Sequence, residues 1–298
     1  MLMIDKPVCM EDGEEPLYGS LIWPGDNENG DAVLIWAGSG PTDRDGNAAG
    51  LQNNSIKILA QALGGAGYAV LRTDKRGIGE SQDAMGDESA IRFGTFVDDM
   101  CAWAAWLKRE VKPKRLFLLG HSEGALVATL AAQRLEADAL ILVAGIGFPP
   151  AQLLRRQLDS PDVALAPDDL RTIFEIMTAL EDGKTVPDIP EELMGQFRPS
   201  VQPYLISWFA YDPAAELGKV EIPTLVVQGT LDLQVSMEDA ERLAASRDGI
   251  RLARIQDMNH VLKSTTDYNP DNYGTYNKPL LPLAEGLFSE ITGFMDSV

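Results

Sequence analysis

A serine hydroxyl becomes a useful nucleophile only when a base takes its proton and a third group holds that base in place. Gly120-His121-Ser122-Glu123-Gly124 supplies the first part. It follows the apolar run RLFLL and opens the helical stretch ALVATLAAQRL, so Ser122 is expected on a tight strand-to-helix turn with its hydroxyl presented. The base is found by counting. The chain has two histidines, and His121 adjoins Ser122 in the turn with its side chain pointing another way. His260, on a loop after IRLARI, is left as the general base. Asp232 follows TLVVQ in Gly229-Thr230-Leu231-Asp232, a spacing that lifts a carboxylate to the C-terminal edge of a sheet. It is assigned as the acid that orients His260. Asp257 is the rival, but it precedes His260 so closely that it cannot easily reach the far ring nitrogen.

Nucleophilic attack on a carbonyl creates an oxyanion, which needs preorganised N–H donors. The backbone N–H of Glu123, directly after the nucleophile, is expected to be one. The other is assigned to Ser39 in Gly38-Ser39-Gly40-Pro41, where small residues let the backbone come close to a substrate oxygen.

These residues need a scaffold that brings strand ends together. Strand-like runs at 17–23, 32–37, 68–73, 115–119, 139–143, 224–228 and 250–255 alternate with helical patterns near 51–63, 91–109, 123–135, 237–245 and 283–295. Apolar strands alternating with amphipathic helices predict a mostly parallel sheet covered on both faces. One stretch breaks the alternation: 146–218 holds helical patterns and no convincing strand. It is expected to be a helical cap inserted into a core formed by 1–145 and 219–298, standing over the sheet edge where ligands bind in such folds. Phe174, Trp208 and Phe209 are its candidate substrate-binding residues, and the pocket is expected to suit short or medium acyl chains.

Composition narrows the function classes. Of 298 residues 45% are hydrophobic, enough for a large core, and 45 acidic against 25 basic residues give a net charge of −20. Such a field repels phosphate backbones, so no nucleic-acid partner is expected. No run approaches the roughly 18 apolar residues a membrane span needs, and the start MLMIDKPVCMEDGEEP does not read as an export signal. Two cysteines, Cys9 and Cys101, make a disulfide framework improbable and suit a reducing, cytoplasmic setting. With two histidines a Cys/His zinc site lacks ligands. Asp43-Arg44-Asp45-Gly46-Asn47 echoes a calcium loop, but its glycine is misplaced and Asn54 stands where a bidentate Glu belongs. Gly77-Ile78-Gly79 lacks the third glycine of a dinucleotide loop. No metal and no cofactor are therefore expected. Met10 and Met177 are assigned to packing, and Tyr268, Tyr273 and Tyr276 to a loop after His260. Homo-oligomerisation is left open.

Taken in order, AGSGPTDRDGN (37–47), DKRGIGES (74–81), GHSEG (120–124), GTLD (229–232) and MNHVLK (258–263) resemble the α/β-hydrolase superfamily over nearly the whole chain. In detail they are similar to its bacterial esterase branch, described as serine aminopeptidase-like or lysophospholipase-like. The resemblance implies an eight-stranded, mostly parallel sheet, a helical cap, hydrolysis of small-molecule carboxylic esters through an acyl-enzyme, and Ser122, Asp232 and His260 as the triad. It departs at Ala37-Gly38, where many relatives have His-Gly. Thioester or aminopeptide cleavage on the same triad, and a non-catalytic binding protein of the same fold, are the alternatives.

Overall fold

The computed structural model describes residues 3–11, 15–24, 30–160, 163, 165–267 and 269–298. The strands are β1 (Met3–Met10), β2 (Leu17–Pro24), β3 (Ala32–Trp36), β4 (Ala69–Thr73), β5 (Leu116–His121), β6 (Ala139–Val143), β7 (Thr224–Gly229) and β8 (Arg251–Ile255). They form one eight-stranded sheet in the order β1-β2-β4-β3-β5-β6-β7-β8. The pairs β1–β2 and β2–β4 are antiparallel, and every pair from β4–β3 to β7–β8 is parallel. The helices are α1 (Ser55–Gly65), α2 (Phe93–Glu110), α3 (Glu123–Ala132), α4 (Pro150–Leu158), α5 (Pro167–Glu181), α6 (Met194–Phe197), α7 (Gln202–Phe209), α8 (Pro213–Leu217), α9 (Met237–Ala244), α10 (Asn269–Gly274) and α11 (Leu287–Met295).

Successive side chains of a strand point to opposite faces, so a fully apolar strand supplies two cores at once. Val33, Ile35, Phe117, Leu119, Ile141 and Val143 face α1 and α11. Leu34, Trp36, Leu118, Leu140 and Leu142 face α2, α3 and α9. The second core continues into the helices between β6 and β7 through Ile173, Met177, Leu205 and Trp208. Met10 and Met177 both lie in it. Prolines open α4, α5, α7 and α8, where the missing N–H removes nothing the helix uses.

The structure adds one strand to those legible in the sequence. β1 carries Asp5, Lys6 and Pro7, which break the apolar pattern. An edge strand tolerates all three, since one side of it needs no ladder partner. Asp5 is also held by Arg72 of β4 at 2.5 Å. The first helix begins at Ser55, not at Leu51, because Asn54 adopts a left-handed conformation (φ 54°). The last begins at Leu287, after Gly286 at φ 89°.

Candidate active site

The parallel strands end along one sheet edge, and their register sets the depth of each loop. Trp36 pairs with Gly120, and Gly120 with Leu142, so the loop after β3 and the turn after β5 emerge side by side. At that turn Ser122 sits at φ 56°, ψ −123°, a strained conformation for a residue with a Cβ. Two glycines make the turn possible. A Cβ on Gly120 would lie 2.1 Å from the Gly124 carbonyl oxygen, and one on Gly124 would lie 2.5 Å from the carbonyl oxygens of Trp36 and Ala37. Either is an overlap no side chain can relieve.

Ser122 Oγ lies 3.1 Å from His260 Nε2, and His260 Nδ1 lies 2.8 Å from Asp232 Oδ2. A carboxylate only accepts, so Nδ1 carries the ring proton and Nε2 is free to accept from the hydroxyl. Asp232 also accepts from the N–H groups of Gln234 (2.8 Å) and Val235 (2.9 Å) and from Gln228 Nε2 (3.1 Å). Burial alone raises the Asp232 carboxyl. The charge and hydrogen bond of His260, with the two backbone N–H donors, outweigh it and hold the group below its ordinary range. Asp257 is exposed, and its carboxylate takes Gln256 Nε2 instead. A hydroxyl, a base and an ionised acid in this chain can pass a proton from Ser122 to His260 while the acid steadies the imidazolium.

Beyond this geometry, residues 52–176 match the family described as "Serine aminopeptidase, S33". A curated relative, esterase EstD of Thermotoga maritima, is 26% identical over 238 residues, 78% of this chain and 55% of its own. This chain thus spans about half the length of the curated relative it matches. Est1E of Butyrivibrio proteoclasticus, solved with ferulic acid, superposes with a TM-score of 0.62 at 16% identity, covering 97% of this chain and 96% of its own. The Pyrococcus furiosus esterase Pf2001 gives 0.57 at 20% identity, with 99% and 90% covered. The chain has the α/β-hydrolase fold. Among its described residues no helix is long and apolar enough to cross a membrane.

Within this fold the other expected residues fall as follows. Gly38 lies against the turn, since a Cβ there would be 3.1 Å from Ser122 Cβ; Ser39, next to it, is exposed. Glu123 opens α3, and its buried carboxylate accepts from Tyr204 Oη of α7 at 2.7 Å. Burial pushes that carboxyl up, against the pull of Lys75 and the Tyr204 hydrogen bond. Trp208, one helical turn beyond Tyr204, stacks on Phe93 of α2 with ring centroids 6.2 Å apart. Phe209 is buried beside it. Phe174 is placed differently: with Pro167, Leu170, Arg171, Glu175 and Thr178 it lines a groove along α5.

The calcium-like segment is occupied by internal bonds. Asp43 accepts from the N–H groups of Asp45 and Asn47, and Asp45 pairs with Arg72 and Lys57. Arg44 instead ties this loop to DKRGIGES, donating to Asp74 Oδ2 through Nε at 3.0 Å and Nη2 at 2.6 Å. Tyr276 is buried with its hydroxyl accepting from Gln234 Nε2, beside the Asp232 loop, and Tyr273 is exposed; Tyr268 lies outside the described residues.

Sequence reasoning missed the contact that His121 makes. His121 Nε2–H donates to the backbone carbonyl of His260 at 2.9 Å, with ring centroids 4.9 Å apart. Burial, reinforced by His260, pushes the His121 imidazole down to about 4. A neutral His121 braces the His260 loop without placing a second positive charge beside the imidazolium. Its position inside GHSEG was the available signal, but no spacing rule indicates which loop that side chain meets.

Proposed function

We propose that this protein is a serine carboxylesterase acting through an acyl-enzyme. The observation that carries the proposal is the continuous chain Ser122 Oγ–His260 Nε2–His260 Nδ1–Asp232 Oδ2 on a strained turn. Ser122 Oγ attacks the ester carbonyl as His260 Nε2 takes its proton, forming a tetrahedral oxyanion held by the N–H groups of Ser39 and Glu123. The oxyanion collapses, the C–O bond to the leaving group breaks, and His260 returns the proton to the departing alkoxide. Water then repeats the sequence on the acyl-enzyme, releasing the acid and restoring Ser122. The name of the Thermotoga maritima relative supports ester substrates. We assign 1–145 and 219–298 to the catalytic core and 146–218 to a cap that walls the acyl side of the site and excludes water.

The matched family's description favours a second reading, release of an N-terminal amino acid on the same triad. A panel of p-nitrophenyl esters graded by chain length, run beside acyl-CoA and aminoacyl-nitroanilide substrates, separates the two. The expected result is the highest kcat/KM on short or medium acyl esters. A preference for nitroanilides or thioesters would reassign the reaction while keeping the residues.

A further inference from the structure

DKRGIGES contains a lysine that the proposed mechanism leaves without a task. Lys75 is 3% exposed, and its Nζ donates to the carbonyl oxygen of Gly38 and, at 2.8 Å, to that of Gly40. These two carbonyls flank Ser39. A peptide unit is planar and trans, so the Gly38 carbonyl and the Ser39 N–H belong to one rigid plate and point in opposite directions. Gripping the carbonyl therefore aims the N–H. Among the described residues the Ser39 N–H has no hydrogen-bond acceptor, while the Gly38 end of the plate lies against Ser122. A donor on the carbonyl also polarises the plate and strengthens the N–H at its other side. Ala37, the residue before this loop, offers no polar side chain for the task.

We propose that Lys75 is a positioning residue for the oxyanion hole, fixing and polarising the Gly38–Ser39 peptide so that its N–H meets the developing oxyanion. The proposal rests on the reading of Ser122 as an esterase nucleophile. Its rival is a purely structural role, in which Lys75 only neutralises the buried Glu123, itself held by Tyr204.

Four variants decide between them: Lys75→Met, Lys75→Gln, Glu123→Gln and the double variant Lys75→Met/Glu123→Gln. Each is assayed for kcat and KM on a p-nitrophenyl ester and for inhibition by a trifluoromethyl ketone, whose adduct with serine carries the oxyanion. Lys75→Met is expected to lower kcat about 10- to 100-fold, less than deleting a donor outright. KM should stay within about threefold, and ketone affinity should fall in step with kcat. Lys75→Gln, which retains an N–H donor without the charge, should fall between Lys75→Met and wild type. The double variant should remain as far below Glu123→Gln as Lys75→Met is below wild type. If the double variant recovers to the Glu123→Gln level, or Lys75→Met keeps its kcat, Lys75 does not act on the oxyanion hole. Should Lys75→Met not fold, the double variant, in which neither buried charge is left without its partner, decides against Glu123→Gln: equal kcat and ketone affinity in the two would overturn the proposal. A wild-type protein inert to every ester and to a fluorophosphonate would bring down the reading of Ser122 itself, and this inference with it.

Discussion

The loops at the end of the parallel strands and the helices between β6 and β7 are held by different physics. At the strand ends backbone contacts leave no slack: Gly120, Gly124 and Gly229 each stand where a Cβ would overlap a carbonyl oxygen, at 2.1, 2.5 and 2.1 Å. Ser122 and Asp257 both hold positive φ there. The helices α4 to α8 rest instead on apolar packing against α2 and α3, where volume matters more than identity. The difference predicts that substitutions at the strand ends act steeply on chemistry and those in the helices act gradually on selectivity.

The largest effect should come at Ser122. Ser122→Ala should abolish fluorophosphonate labelling and lower kcat about 10⁶-fold, as in other hydroxyl–imidazole pairs that act as a unit. Labelling of the alanine variant at the wild-type rate would place the nucleophile elsewhere. Next is the acid. Asp232→Asn should cost about 10⁴ in kcat with folding intact, because an amide can leave His260 in the wrong tautomer. Asp257→Asn, at an exposed carboxylate, should change kcat less than about threefold. The reverse ranking would contradict the placement of the two acids.

A smaller effect concerns pH. His121 is held neutral, its pKa pushed from 6.5 to about 4. Below about 6.5 the unfolded chain binds a proton there that the folded one does not, so this group's contribution is fully present above that pH. It is lost as pH falls toward about 4. The full shift corresponds to on the order of 3 kcal/mol. His121→Asn should therefore show a shallower fall in urea-unfolding free energy between pH 6.5 and 4 than wild type. Parallel curves for the two proteins would refute the assignment.

The same contrast explains what the sequence made legible. Strands β2 to β8 and the elements bearing Ser122, Asp232 and His260 follow from periodicity and local spacing, because a strand's burial and a turn's glycines are written within a few residues. β1 was hidden because an edge strand tolerates the Asp, Lys and Pro that disguise it. The contacts of His121 with His260, Lys75 with Gly38, and Tyr204 with Glu123 join distant segments, so no local pattern encodes them. Within 146–218 the apolar residues Phe174, Trp208 and Phe209 signal burial, and burial does not say which way a helix turns.

The smallest predicted effect tests that last point. Tyr204 Oη reaches the Glu123 carboxylate, so α7 touches the turn bearing Ser122. Trp208 stacks at 6.1 Å on Tyr204 and Phe209 packs at 6.0 Å on Trp208, whereas Phe174 lines a groove along α5 with Arg155 of α4 over its ring. If the segment sets acyl preference through α7, trimming Trp208 or Phe209 lengthens the space beside the acyl chain, and trimming Phe174 does not. Truncation to alanine in a shared core costs about 3–5 kcal/mol, so Trp208→Phe and Phe209→Leu are the informative changes, with Phe174→Ala as their counterpart. One methylene of pocket is worth about 10- to 200-fold in selectivity when the fit is tight. A helix held by adaptable packing should yield less, about two- to tenfold toward longer esters in the ratio of kcat/KM values. Ser122 labelling rates should stay near wild type in all three. An unchanged ratio in the α7 variants, or a shift in Phe174→Ala alone, would move the selectivity determinant off α7.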